Sequence, residues 1–186
     1  DIEATCSQIQ TCADAGCEII RCAVPDENAL RALPKVIAQS PLPIIADIHF
    51  RADLAVGAIE AGAAKIRINP GNIGGEDKLI TVINAAKEKG IPIRIGVNAS
   101  SLEKKLLRKY GHPSAKALVK SLMNHAGVCE ANGFTNLVLS VKSSSVYIVI
   151  TANRMLSKWT AYPIHVGVTE AGTREYGTVK SAIGIG

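Results

Sequence analysis

A chain of 186 residues is long enough for one domain with a substantial core, and its 47% hydrophobic content with only 4% aromatics means a core of Ile, Val, Leu and Ala. That aliphatic mix suits alternating strands and helices better than a β-sandwich. The formal charge of +5 is mild and leaves an acidic substrate, a nucleic acid or no charged partner open.

The most basic run, Lys104, Lys105, Arg108 and Lys109, lies among Leu102, Leu106 and Leu107 and reads as a solvated helix face, so no nucleic-acid partner is expected. No apolar run reaches the roughly 18 residues of a membrane span, and there is no signal peptide, so no membrane partner is expected. Cys6, Cys12, Cys17, Cys22 and Cys129 include no CxxC pair. They read as buried thiols of a reduced, cytoplasmic protein, with no metal site in this chain.

Ile2, Cys6, Ile9 and Ala13 recur at helical spacing, which predicts a helix over 1–15 closed by Gly16. The aliphatic run 18–24 follows, then a helix over 27–39 and the run PIIADIHF (43–50). A helix over 51–61 ends at Gly62 and leads into KIRIN (65–69). Beyond the PGNIGG turn (70–75), helix 76–89 ends at Gly90 before IPIRIGVN (91–98). An extra helix is predicted over 101–110 and a longer one over 114–131. Gly133 ends the latter and FTNLVLSVK (134–142) follows. Helix 144–157, a sixth strand in YPIHVGVTEAG (162–172) and a short helix over 174–183 complete the chain.

One unit therefore recurs: helix, glycine, aliphatic strand, polar tip. About six strands alternate with about seven helices. Near-continuous aliphatic strands joined by helices are parallel and covered on both faces. Strand side chains alternate, so Asp47 shares a face with His49, Arg67 with Asn69, and Arg94 with Asn98. Arg21 lies near the end of the first strand, Lys142 ends the fifth and Glu170 the sixth. An open sheet gathers its ligand groups at one switch point, whereas a barrel gathers them from every strand at its C-terminal mouth. Six consecutive polar tips predict an α/β fold of the TIM (β/α)8 type, with residues 1–186 forming one partial substrate-binding domain. A complete barrel needs eight βα units in about 250 residues. The first and last strands are thus expected to lie before Asp1 and after Gly186.

Arg21, Arg67, Arg94 and Lys142 would bring four cations to one mouth with His49. Arginine binds phosphate oxygens bidentately and lysine adds a mobile charge. Asp47 and Glu170 offset part of that charge, and a ligand with about two phosphates would offset the rest. The competing reading makes them ordinary strand-end salt bridges. Asp47 and His49 can form an acid–base pair, with a metal pair as the rival that lacks an obvious third ligand. Glu170, before Ala171 and Gly172, is the candidate for proton transfer. His112, His125 and His165 lie off the mouth and read as surface or packing residues.

ADIHF (46–50), KIRINPGNIG (65–74), IPIRIGVNA (91–99), SVK (140–142), GVTEAGT (167–173) and VKSAIGIG (179–186) occur in that order. Together they resemble the barrel domain of the 4-hydroxy-3-methylbut-2-enyl diphosphate synthase family, oxidoreductases of the methylerythritol phosphate route to isoprenoids (terpenoids). The resemblance implies that 2-C-methyl-D-erythritol 2,4-cyclodiphosphate is reductively opened and dehydroxylated by two electrons. Flavodoxin or ferredoxin would deliver them through a 4Fe-4S cluster. The resemblance also implies that Arg21, Arg67, Arg94 and Lys142 hold the diphosphate. Asp47, His49, Asn98 and Glu170 would lie around the reacting carbons, Glu170 being a candidate proton donor to the departing hydroxyl, and Asn69 is a further candidate for substrate binding beside Arg67. The cluster ligands, three cysteines and a glutamate, would belong to a missing C-terminal domain that closes over another subunit's barrel. That implies a homodimer at full length and an inactive fragment here.

Two stretches depart from the family pattern. Within SSSVYIVITANR (143–154), members more often carry an acidic or amide residue near Ser145 and a Tyr near Asn153. NAS (98–100) replaces the commoner NAG. Alternatives from the residues alone are a redox-free phosphate-binding barrel enzyme, such as a pterin-ring synthase or an aldolase using Lys142, and a non-catalytic barrel fragment.

Overall fold

The computed structural model describes residues 1–186, which divide into two compact units, Asp1–Arg94 and Ile95–Gly186. The first holds α1 (Ile2–Asp14), β1 (Ile20–Ala23), α2 (Glu27–Gln39), β2 (Ile44–Ile48), α3 (Ala52–Glu60), β3 (Lys65–Ile68) and α4 (Glu76–Lys89). It closes with the start of β4 (Ile93–Val97).

Local sequence sets these boundaries. Asp1 and Asp26 accept from the backbone N–H groups of Ala4 and Ala29, capping α1 and α2. Gly90 ends α4 at φ 68°, its N–H on the carbonyls of Ala86 and Lys87, a conformation that costs any other residue more. The other junction glycines named from the sequence, Gly16, Gly62 and Gly133, likewise have positive φ.

β1, β2 and β3 are parallel and neighbours in chain order. Ile45 stands beside Lys65 and Asp47 beside Arg67. The Ile66 N–H donates to the Pro92 carbonyl at 3.2 Å, which brings β4 in beside β3. Chain order without reversal is barrel-like, since an open doubly wound sheet reverses at its switch point. β2 is buried at every position, whereas β3 alternates: Ile66 and Ile68 are fully buried, Lys65 and Arg67 only partly. Ile44, Ile48, Ile66, Ile68, Leu79 and Ile83 are the main core side chains.

The second unit continues β4 and adds a 3-10 turn (Ala99–Ser101), α5 (Lys104–Tyr110), α6 (Ala115–Ala131), β5 (Leu137–Val141), α7 (Val146–Trp159) and α8 (Arg174–Ile185). The predicted extra helix thus begins later, at Lys104. The Lys142 N–H donates to the Val97 carbonyl at 3.1 Å, joining β5 to the end of β4. Leu118, Leu122, Leu139, Val149 and Leu156 fill this core.

Five strands and eight α-helices form, where about six and about seven were expected. The missing strand is the sixth. Residues 162–172 run beside β5 and share one parallel bridge, Leu139 with Ile164. Leu139 donates to the Pro163 carbonyl at 2.9 Å and His165 to the Leu139 carbonyl at 2.8 Å. Beyond the bridge, Ser140 Oγ donates to the His165 carbonyl at 3.0 Å and the Thr169 N–H to the Ser143 carbonyl at 3.3 Å. Pro163 has no N–H to extend a ladder, and Glu170 leaves the extended region at φ 51°.

Candidate anion site

The site in the first unit is built around a carboxylate. Alternation turns Asp47 to the side of β2 opposite Ile48, and its side chain is only 6% exposed. Arg67 donates from Nη1 to Asp47 Oδ1 at 2.8 Å. Arg21 Nε lies 3.3 Å from Asp47 Oδ2. His49 Nε2 lies 3.7 Å from the same oxygen, within ion-pair range but beyond a hydrogen bond. The strand-end salt bridge reading therefore describes part of this cluster.

Arg94 adds a third guanidinium and is only 2% exposed. Burial, then repulsion from Arg21 and Arg67, pushes it down to about 10, with Asp47 opposing. It is still protonated at neutral pH. Two arginines thus pair with one carboxylate, and a third is near enough to feel their charges. Arg67 is 12% exposed, and its buried Nε has no hydrogen-bond partner. A buried donor left unpaired is costly, and an anion oxygen would satisfy it.

Lys65 was not singled out from the sequence, although the alternation that picked out Arg67 also picks it out. It lies on the same face two residues earlier. Burial and then Arg94 push its ammonium below the usual lysine range. Asn69 is buried, and its carboxamide oxygen accepts from the Gly71 N–H at 3.2 Å, pinning the PGN turn.

The remaining expected site residues, Asn98, Lys142 and Glu170, belong to the second unit. Asn98 Oδ1 accepts from Ser100 Oγ at 2.8 Å and from the Ser101 N–H at 3.1 Å, capping the 3-10 turn. The cap is made by Asn98, which NAS shares with NAG, and the varied residue Ser100 adds a hydroxyl bond to its carboxamide. Lys142 runs past Gly167: a Cβ there would meet Lys142 Cε at 3.2 Å and Nζ at 3.3 Å. Sequence reading did not single out Gly167. Glu170 is exposed and is the one non-glycine residue with positive φ. Of the off-site histidines, His125 pairs with Glu103 at 3.1 Å, a packing role.

No three His, Cys, Asp or Glu side chains come together in a metal-holding group. The cysteines do not fit a cluster site. They are also less buried than expected: only Cys129 is buried, and Cys17 is exposed in a loop. No helix is long and apolar enough to cross a membrane.

Parallel strands in chain order, joined by helices and carrying clustered cations on one face, define an α/β barrel domain. The family model described as the GcpE TIM-barrel domain matches residues 1–186, and the chain belongs to that family. Over all 186 residues it is 53% identical to the 4-hydroxy-3-methylbut-2-en-1-yl diphosphate synthase (flavodoxin) of Maridesulfovibrio salexigens, of which it covers 52%. It is 52% identical to the protein of the same name from Clostridium perfringens, covering 53% of it. The chain thus spans about half the length of these relatives.

Solved structures share the fold. A Yersinia pestis dihydropteroate synthase in complex with a sulfonamide drug matches with a TM-score of 0.61 at 12% identity, over 100% of this chain and 85% of that one. A phosphoenolpyruvate phosphomutase from Streptomyces platensis matches with a TM-score of 0.58 at 14% identity, over 93% and 69%.

Proposed function

We propose that this chain is the substrate-binding barrel part of a 4-hydroxy-3-methylbut-2-enyl diphosphate synthase. The observation that carries the reading is the buried Arg94 beside Arg21 and Arg67 with Asp47 as their shared counter-ion. Such an excess of positive charge suits a ligand with two phosphates. The names of relatives about half identical to the chain support the same activity.

In this reading the substrate is 2-C-methyl-D-erythritol 2,4-cyclodiphosphate. Arg21, Arg67 and Arg94 bind its diphosphate, Arg67 through the unpaired Nε as well. Lys142 contributes a further phosphate contact. Asn69 and Asn98 hold the turns after β3 and β4 through their own hydrogen bonds. Asp47 orients two arginines, and His49 exchanges protons beside it. Glu170 gives a proton to the departing hydroxyl, which leaves as water. Two electrons enter from a flavodoxin or ferredoxin. A 4Fe-4S cluster held by another domain of a cytoplasmic homodimer would supply the electron-transfer chemistry.

The test is turnover of the cyclic diphosphate by the full-length, cluster-loaded protein with reduced flavodoxin. The linear allylic diphosphate is the expected product, and Glu170→Gln lowers kcat by at least about 100-fold, the usual scale of a general acid. Absence of turnover in a fully loaded wild type contradicts the reading.

A further inference from the structure

We propose that Lys65 is a fifth cation of the anion site, set beneath Arg67, which strengthens anion binding through its charge without touching the anion. The inference rests on the diphosphate reading of that site.

Lys65 and Arg67 share a strand face, and two residues of a parallel strand span about 6.6 Å. Lys65 stands beside Ile45, as Arg67 stands beside Asp47, so its side chain springs from the backbone one layer below the Asp47–Arg67 pair. Ile66 donates to Pro92, and in a parallel ladder this sets Arg94 alongside Arg67. Arg94 thus reaches the same face as Lys65. The two influence each other: Arg94 is the one charged group that disfavours the Lys65 ammonium.

Lys65 forms no salt bridge, since the carboxylate on this face is Asp47, already shared by Arg21 and Arg67. A half-buried lysine facing arginines without a carboxylate of its own is unfavourable in the empty site. It becomes favourable once an anion of about two charges is bound above it. At about 10 Å in a medium of effective dielectric near 40, one charge acting on such an anion changes affinity on the order of tenfold. Salt weakens the effect, because that distance is close to a Debye length.

The experiment is calorimetric titration of inorganic diphosphate into the full-length protein carrying Lys65→Arg, Lys65→Met or Lys65→Glu, with Arg67→Ala as control. Binding is expected to follow charge. Arg stays within about twofold of wild type, Met weakens binding roughly three- to tenfold, and Glu weakens it further. The spread narrows when salt is raised. A structural role would follow side-chain shape, with no such order. Lys65→Gln serves as a second neutral variant should Met disturb folding. If the Arg67 variant loses affinity while Lys65→Met and Lys65→Gln bind like wild type, Lys65 is a bystander and the proposal fails alone. If the Arg67 variant also binds like wild type, the diphosphate reading itself fails.

Discussion

Asp47 and Arg67 meet at 2.8 Å, and the other oxygen of the same carboxylate lies 3.3 Å from Arg21. One buried carboxylate thus restrains two guanidiniums, and its charge reaches a third, that of Arg94. Its removal has opposite effects on folding and on binding. Asp47→Asn is expected to cost about 3 kcal/mol of stability, the low end for breaking a buried pair, because Arg21 is 45% exposed and loses little. The same variant carries more net positive charge, so inorganic diphosphate raises its Tm by more than it raises that of wild type. Thermal melts of the full-length protein with and without diphosphate check both signs.

Glu170 holds φ 51°, a left-handed conformation that costs a side chain with a Cβ roughly 1 kcal/mol. Glu170→Gly is therefore expected to stabilise the protein by up to about 1 kcal/mol and to abolish turnover. Glu170→Gln keeps the strain and loses turnover without the stabilisation. Urea unfolding beside a kcat measurement separates the two effects. A Gly variant no more stable than the Gln variant would show that the conformation is not strained.

Gly167 matters for the room that it leaves. A Cβ there would press on Lys142 at 3.2 Å and 3.3 Å, and the atoms met are the far end of a flexible chain. Gly167→Ala is therefore expected to cost little stability, below the roughly 1–3 kcal/mol of core overpacking, while displacing the ammonium. Its KM for the cyclic diphosphate should rise toward that of Lys142→Ala. A large loss of Tm with unchanged KM would place the effect in packing instead.

The His125–Glu103 pair gives a pH dependence. Burial pushes His125 below its ordinary value, and Glu103 at 3.1 Å opposes this without reversing it. With the folded value below the unfolded one, the unfolded chain binds more protons between them. The contribution is therefore full above about pH 6.5 and is lost as pH falls toward the folded value. His125→Gln should flatten stability against pH in that acidic window. A wild type and variant with parallel profiles would refute this assignment.

Much of this was legible in the chain itself, because a helix, a glycine and an aliphatic strand leave a local signature each time. Period-two alternation placed Arg67 and Asn69 together and could have added Lys65, whose long stem reads as a strand flank. The sixth strand was misread because alternation in YPIHVGVTEAG says nothing about ladder partners, and Pro163 with the turn at Glu170 limits those to one bridge. The sharing of Asp47 between Arg21 and Arg67 depends on inter-strand register, which no single segment encodes. Capping by Asn98 depends on the 3-10 turn that Ser100 and Ser101 build after it.

The central claim is that the arginines around Asp47 hold a diphosphate. It is tested most directly by calorimetric titration of 2-C-methyl-D-erythritol 2,4-cyclodiphosphate into the full-length protein and its Arg67→Ala variant. The variant is expected to lose about 1–3 kcal/mol in binding free energy, the scale of a charge-assisted contact. Equal affinities for wild type and variant would contradict it.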